Sequence, residues 1–251
     1  MKTVFYLHGM GGGETSRIPN HLRHFFAELG RDDIQVICPT YDFDPEIAHP
    51  FILSEIERCK PDLIIGESLG AVHAIRTSGY PLLLVSPAIG GPEYMYRIAP
   101  WTLIPGIPWI CSRFIWHVKY PGRQKLNFRY RILMHYKAHK EAMLAAAAIR
   151  SGRGPRKACR LQRLRTEDEV QWSTKPFEGL CPEDGGSKNN YVHAFIGDYD
   201  HYRKNGVVDP DKWDALFGPE TRTSYPGTHY MEDEYIRSLL VPAILSLLAA
   251  E

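Results

Sequence analysis

The chain has 251 residues, enough for one α/β domain with a large insertion and a substantial buried core. Its hydrophobic fraction of 44%, charged fraction of 24% and formal net charge of +1 give no global pull toward nucleic acid or an acidic partner. Five cysteines, at positions 38, 59, 111, 159 and 181, lie far apart without a C-x-x-C pair, which argues against a disulfide framework and a zinc site and fits a reducing cytoplasm.

Residues 3–7 (TVFYL) form a β-branched and aromatic run that reads as a strand, not as the charged-then-apolar start of a secretory leader. His8-Gly9-Met10-Gly11-Gly12-Gly13 follows directly. Such a loop can aim a backbone N–H at an adduct on a neighbouring nucleophile, and the Met10 N–H is the candidate. A phosphate-binding loop is the rival reading, but no G-K-[ST] follows the glycines. His8 reads as a packing residue under this loop, in preference to a catalytic base.

Residues 14–29 suit a helix, with Leu22, Phe25, Phe26 and Leu29 at helical spacing. A strand at 34–38 stops at Pro39, and residues 46–59 suit the next helix. The apolar strand 62–65 (DLII) then runs into Gly66-Glu67-Ser68-Leu69-Gly70 and a helix over 69–77. G-x-S-x-G between a strand and a helix reads as a nucleophile elbow, against a bland alternative of a turn with a capping serine. Small flanking residues permit the sharp turn, and the serine projects at a helix N-terminus that favours developing negative charge. Ser68 is therefore the candidate nucleophile. The N–H of Leu69, with that of Met10, would form the oxyanion hole.

After the strand 82–85 (LLLV) the alternation breaks for about a hundred residues. The stretch 87–190 holds 18 Lys and Arg against 8 Asp and Glu, a net charge of +10 in a near-neutral chain. It reads as a cap over the active-site end of the sheet, with 1–86 and 191–251 forming the core. No internal repeat is apparent. Its aromatic stretch, with Trp109 and Trp116, offers an apolar acyl pocket or the cap's own core, and aromatics flanked by basic residues also suit transient contact with a membrane surface. Arg123, Lys125, Arg129, Arg131 and the basic residues from Arg150 to Arg165 are candidates for holding a substrate phosphate or carboxylate, or are simply solvated.

The alternation resumes with a strand at 191–196, the loop Gly197-Asp198-Tyr199-Asp200, a helix near Pro210–Phe217 and a strand at 221–225. His229 follows that last strand, at the end of the sheet where open α/β sheets place their sites, and is the candidate general base. Asp200 is preferred to Asp198 as the carboxylate that orients it. A terminal helix from Glu232 carries an apolar stripe that Pro242 is expected to kink.

The Y-L-H-G start, the elbow, the G-D-x-D loop and the G-x-H segment occur in an order that resembles the α/β-hydrolase superfamily, particularly its short bacterial serine esterases. The resemblance spans residues 1–90 and 190–251 and leaves the cap unassigned. It implies a mostly parallel sheet of about six strands with helices on both faces, the family's first two antiparallel strands being absent. It also implies cleavage of a carboxylic ester through Ser68, His229 and Asp200 by way of an acyl-enzyme, with a small acyl compound as partner and with no cofactor or metal. A serine at the elbow excludes the relatives that need an aspartate there, the haloalkane dehalogenases and epoxide hydrolases. Thioesterase or acyltransferase action on carrier-bound acyl groups is the alternative, and a non-catalytic binding protein a more distant one.

Overall fold

Short runs of aliphatic and β-branched residues lie side by side in one sheet, in a computed structural model that describes residues 1–111, 122–152 and 190–249. Its strands are β1 (Lys2–Leu7), β2 (Ile34–Ile37), β3 (Leu63–Glu67), β4 (Leu82–Val85), β5 (Val192–Gly197) and β6 (Arg222–Tyr225). Their order is β2-β1-β3-β4-β5-β6, and every neighbouring pair is parallel. All four residues of β4 are fully buried, as expected for a strand covered on both faces.

Helices α1 (Arg17–Glu28) and α9 (Val241–Ala249) cover one face, where Leu22, Phe25 and Phe26 pack in a cluster with Ile244 and Leu247. Helices α2 (Pro45–Cys59), α3 (Leu69–Ile75), α6 (Tyr130–Arg150) and α7 (Pro210–Phe217) contribute Ile52, Val72, Met143 and Trp213 to the core on the other. The remaining α-helices among the described residues are α4 (Gly91–Ile98), the short α5 (Ile107–Ile110) and the single turn α8 (Asp233–Tyr235). This is the six-strand, two-sided architecture that the resemblance implies. The register sets Leu7 opposite Gly66 and Glu67 opposite Val85, so the C-terminal ends of β1, β3 and β4 meet at one edge.

The structure adds detail to three expectations. Part of the stretch 87–190, read as a cap over the site end of the sheet, is built into the core. Helix α6 lies within it, yet Met143 and Ala147 belong to the sheet-facing core. Arg150 is buried and donates to the carbonyls of Tyr80 (2.9 Å) and Thr77 (3.0 Å), so it ties the helix end to the core and is not a surface anion site. The first helix begins at Arg17, because the Gly13 N–H donates to Ser16 Oγ and the Ser16 N–H donates back to the Gly13 carbonyl. The terminal helix is interrupted by a π-helical turn, Ile236–Leu240, just before Pro242, whose ring nitrogen cannot donate the usual backbone bond. None of the helices among the described residues is long and apolar enough to cross a membrane.

Candidate active site

The elbow is built by close approach. A Cβ at Gly70 would stand 2.2 Å from the Leu7 carbonyl oxygen, and one at Gly66 would stand 2.7 Å from the Ala71 Cα. Only glycine lets β1, β3 and α3 converge there. Between the two glycines Ser68 sits at φ 51°, a left-handed conformation unusual for a serine. Its backbone is held on both sides: its N–H donates to the Val85 carbonyl (2.9 Å), and its carbonyl accepts from Ala88 (3.0 Å).

Ser68 Oγ lies 3.0 Å from His229 Nε2, and His229 Nδ1 lies 2.7 Å from Asp200 Oδ2. With the proton on Nδ1, the imidazole donates to the carboxylate and accepts from the serine hydroxyl. Both His229 and Asp200 are buried. The second oxygen of Asp200 accepts the Tyr202 N–H at 2.9 Å, which fixes the carboxylate plane. Asp198 instead points to Arg203 at 3.5 Å and keeps about a third of its side chain exposed. The two loops can touch because residue 197 is glycine: a Cβ there would come within 2.4 Å of the Gly227 carbonyl oxygen.

Sequence patterns miss the groups that hold the histidine loop. The Thr228 hydroxyl donates to Glu232 at 2.6 Å, and Tyr235 donates to the Pro226 carbonyl at 2.9 Å. Arg17, far away in sequence, donates to the Tyr230 and Met231 carbonyls. The Tyr202 ring meets the His229 imidazole edge-on at 4.6 Å between centroids. A tyrosine two residues after the acid was visible in the sequence, but nothing local assigned it that contact.

Met10 and Leu69 border the cavity beside Ser68. Leu69 is the first residue of α3, where an N–H has no acceptor inside the helix. His8 stacks on Tyr41 (4.0 Å between centroids), and burial lowers its pKa to about 4. It is a neutral packing residue beneath the loop, as expected.

The cavity at Ser68 has a volume of about 400 Å³. Met10, Leu69, Met95 and Val207 supply apolar surface, Tyr94, Tyr202 and Tyr230 aromatic surface, and Glu67 is the one acidic residue in the lining. Neither Lys nor Arg lines it among the described residues. Trp109 is not there. It is exposed and borders a separate depression with Asp42, Lys125 and Phe128. Trp116 lies outside the described residues. Among the described residues of the 87–190 stretch, the aromatic one that lines the Ser68 cavity is Tyr94, on α4.

One group among the described residues has metal-ligand chemistry: Asp44, Glu46 and His135. Its imidazole presents Nδ1 to Asp44 (2.9 Å) and Nε2 to Glu46 (3.4 Å). Using both nitrogens is the geometry of a ring bridging two carboxylates, whereas a metal would take one nitrogen. None of the three borders the Ser68 cavity.

No protein-family model and no curated protein matches the chain. Among solved structures, it is similar to one described under "Novel epoxide hydrolases belonging to the alpha/beta hydrolases superfamily in metagenomes from hot environments", at 13% identity and a TM-score of 0.48, over 100% of this chain and 91% of that one.

Proposed function

We propose that the chain is a serine hydrolase that cleaves carboxylic esters. The observation that carries this reading is the unbroken relay from Ser68 through His229 to Asp200, at 3.0 and 2.7 Å, with the serine on a strained elbow. Ser68 Oγ attacks the ester carbonyl as His229 Nε2 takes its proton. The Met10 and Leu69 N–H groups receive the oxyanion. Collapse of the tetrahedral adduct expels the alcohol, which leaves with the proton from His229. Water then attacks the acyl-enzyme, giving up a proton to the same imidazole, and the acid departs as Ser68 recovers its hydrogen. Asp200 stays ionised, holding the tautomer and stabilising the imidazolium.

The largely apolar lining, with Glu67 and neither Lys nor Arg among the described residues, supports uncharged acyl groups over the anionic carrier-bound thioesters of the alternative reading. Epoxide hydrolases of the resembled superfamily need an aspartate at the elbow, and residue 68 is serine. A series of p-nitrophenyl esters of graded acyl length tests the reading, with Ser68→Ala as control. Turnover that depends on Ser68 is expected. Equal turnover in the alanine variant, or none across the series, would remove the ester assignment.

A further inference from the structure

At the far end of α3 from Ser68, three buried imidazoles surround one guanidinium. Arg76 is the C-cap of α3, and its Nη1 donates to His139 Nδ1 on α6 at 2.5 Å. Its Nε is sealed from solvent with no acceptor. No carboxylate pairs with it among the described residues, so a half-buried cation faces an imidazole where an acid would ordinarily stand. His49 and His73 approach Nδ1 to Nδ1 at 3.5 Å, and the His73 and His139 rings are 4.3 Å apart. All three rings are buried. Burial first, and the Arg76 charge with it, lower His49 to about 4 and His139 to about 3. For His73, burial and the neighbouring imidazoles act ahead of Arg76 in the same direction.

Arg76, His49, His135 and His139 line a cavity of about 320 Å³ between α2 and α6. Glu46 borders it too, but its side chain is mostly exposed and faces His135 Nε2. A cation withdrawn from water without a counter-charge is costly, and the cavity has room to admit one. Because His139 Nδ1 accepts from Arg76, its neutral ring carries the proton on Nε2 and is a donor there. Guanidinium groups bind carboxylates and phosphates through charge-assisted, often paired hydrogen bonds.

We infer that this cavity is a binding site for a small oxyanion, a phosphate or carboxylate group, with Arg76 as its charge partner and His49 and His139 as its walls. The site is independent of the serine chemistry. A bound anion offsets the Arg76 charge, so it also makes the two histidines easier to protonate.

The test is a titration of the full chain with sodium phosphate, and separately with sodium acetate, at constant pH and ionic strength, following the histidine ring resonances by NMR. The expected result is a saturable shift of the His49 and His139 signals, with a rise in the pKa of His139 at saturation. Tighter saturation by phosphate assigns the site to phosphate groups, and tighter saturation by acetate assigns it to carboxylates. Arg76→Gln should abolish saturation, and Arg76→Lys should weaken it by about tenfold by removing the fork while keeping the charge. Signals that move no further with either anion than with matched chloride overturn the proposal, as does undiminished affinity in Arg76→Gln. Should that variant fail to fold, the native titration and Arg76→Lys still decide.

Discussion

Helix α3 has imidazoles near both ends, and the two groups are set up in opposite ways. At its N-terminal end His229 is buried against a carboxylate, Asp200, and faces a hydroxyl. At its C-terminal end His49, His73 and His139 are buried with a cation, Arg76. Burial alone disfavours an imidazolium. A carboxylate reverses that penalty when a proton arrives, whereas a guanidinium adds to it. The two ends of one helix thus hold buried imidazoles beside charges of opposite sign.

The comparison breaks most sharply at the nucleophile. Ser68→Ala should lower kcat on a p-nitrophenyl ester by about 10⁴-fold or more, with the fold retained by circular dichroism. If it does not, the N-terminal end of α3 has no special chemistry. Next comes the carboxylate. Asp200→Asn should cost about 10⁴-fold in kcat by losing the required tautomer, while Asp198→Asn stays within a few-fold. The reverse ranking would transfer the orienting role to Asp198.

The C-terminal end is sharpened by pH. His49 and His139 are lowered to about 4 and about 3, so between those values and the ordinary pKa near 6.5 the unfolded chain binds more protons than the folded one. Stability is thus complete above about pH 6.5 and falls as acid is added, by up to about 1.4 kcal/mol per pH unit for each such histidine. Urea unfolding at pH 7, 6 and 5 measures the slope, and His139→Gln should reduce it by one histidine's share, since burial lowers His8, His49, His73 and His193 as well. A native stability that is level over this range would contradict the neutral cluster.

The smallest expected effects separate the two aromatic regions. Tyr94→Ala should flatten the rise of kcat/KM with acyl length, where each buried CH₂ contributes roughly 0.8 kcal/mol. Trp109→Ala should leave the series unchanged, since Trp109 lies outside the Ser68 cavity. A Trp109 effect as large as that of Tyr94 would restore the broader pocket expected from the sequence.

The candidate constellation of Ser68, His229 and Asp200 was legible because its geometry is encoded locally. Strand, G-x-S-x-G and helix form one short segment, and sheet order brings the Asp200 and His229 loops to the same edge. Asp200 could be preferred to Asp198, but burial and the Tyr202 N–H that select it arise only on folding. Helix α6 was not legible, for a physical reason. Its run Ala145-Ala146-Ala147-Ala148 presents small side chains all round, so the face that packs on α2 and α3 carries no contrast in hydropathy. The histidine cavity was invisible for another reason: His49, Arg76 and His139 come from three helices, and no spacing joins them. Likewise, Arg17 reaches the histidine loop across more than two hundred residues.

The central claim, that the N-terminal end of α3 activates a serine, is tested most directly by covalent labelling. Treating the full chain with a fluorophosphonate and mapping the adduct by mass spectrometry should place one phosphonyl group on Ser68, with labelling lost in His229→Ala. An unlabelled Ser68 under conditions that label a reference serine hydrolase, or labelling that persists without His229, would contradict the account.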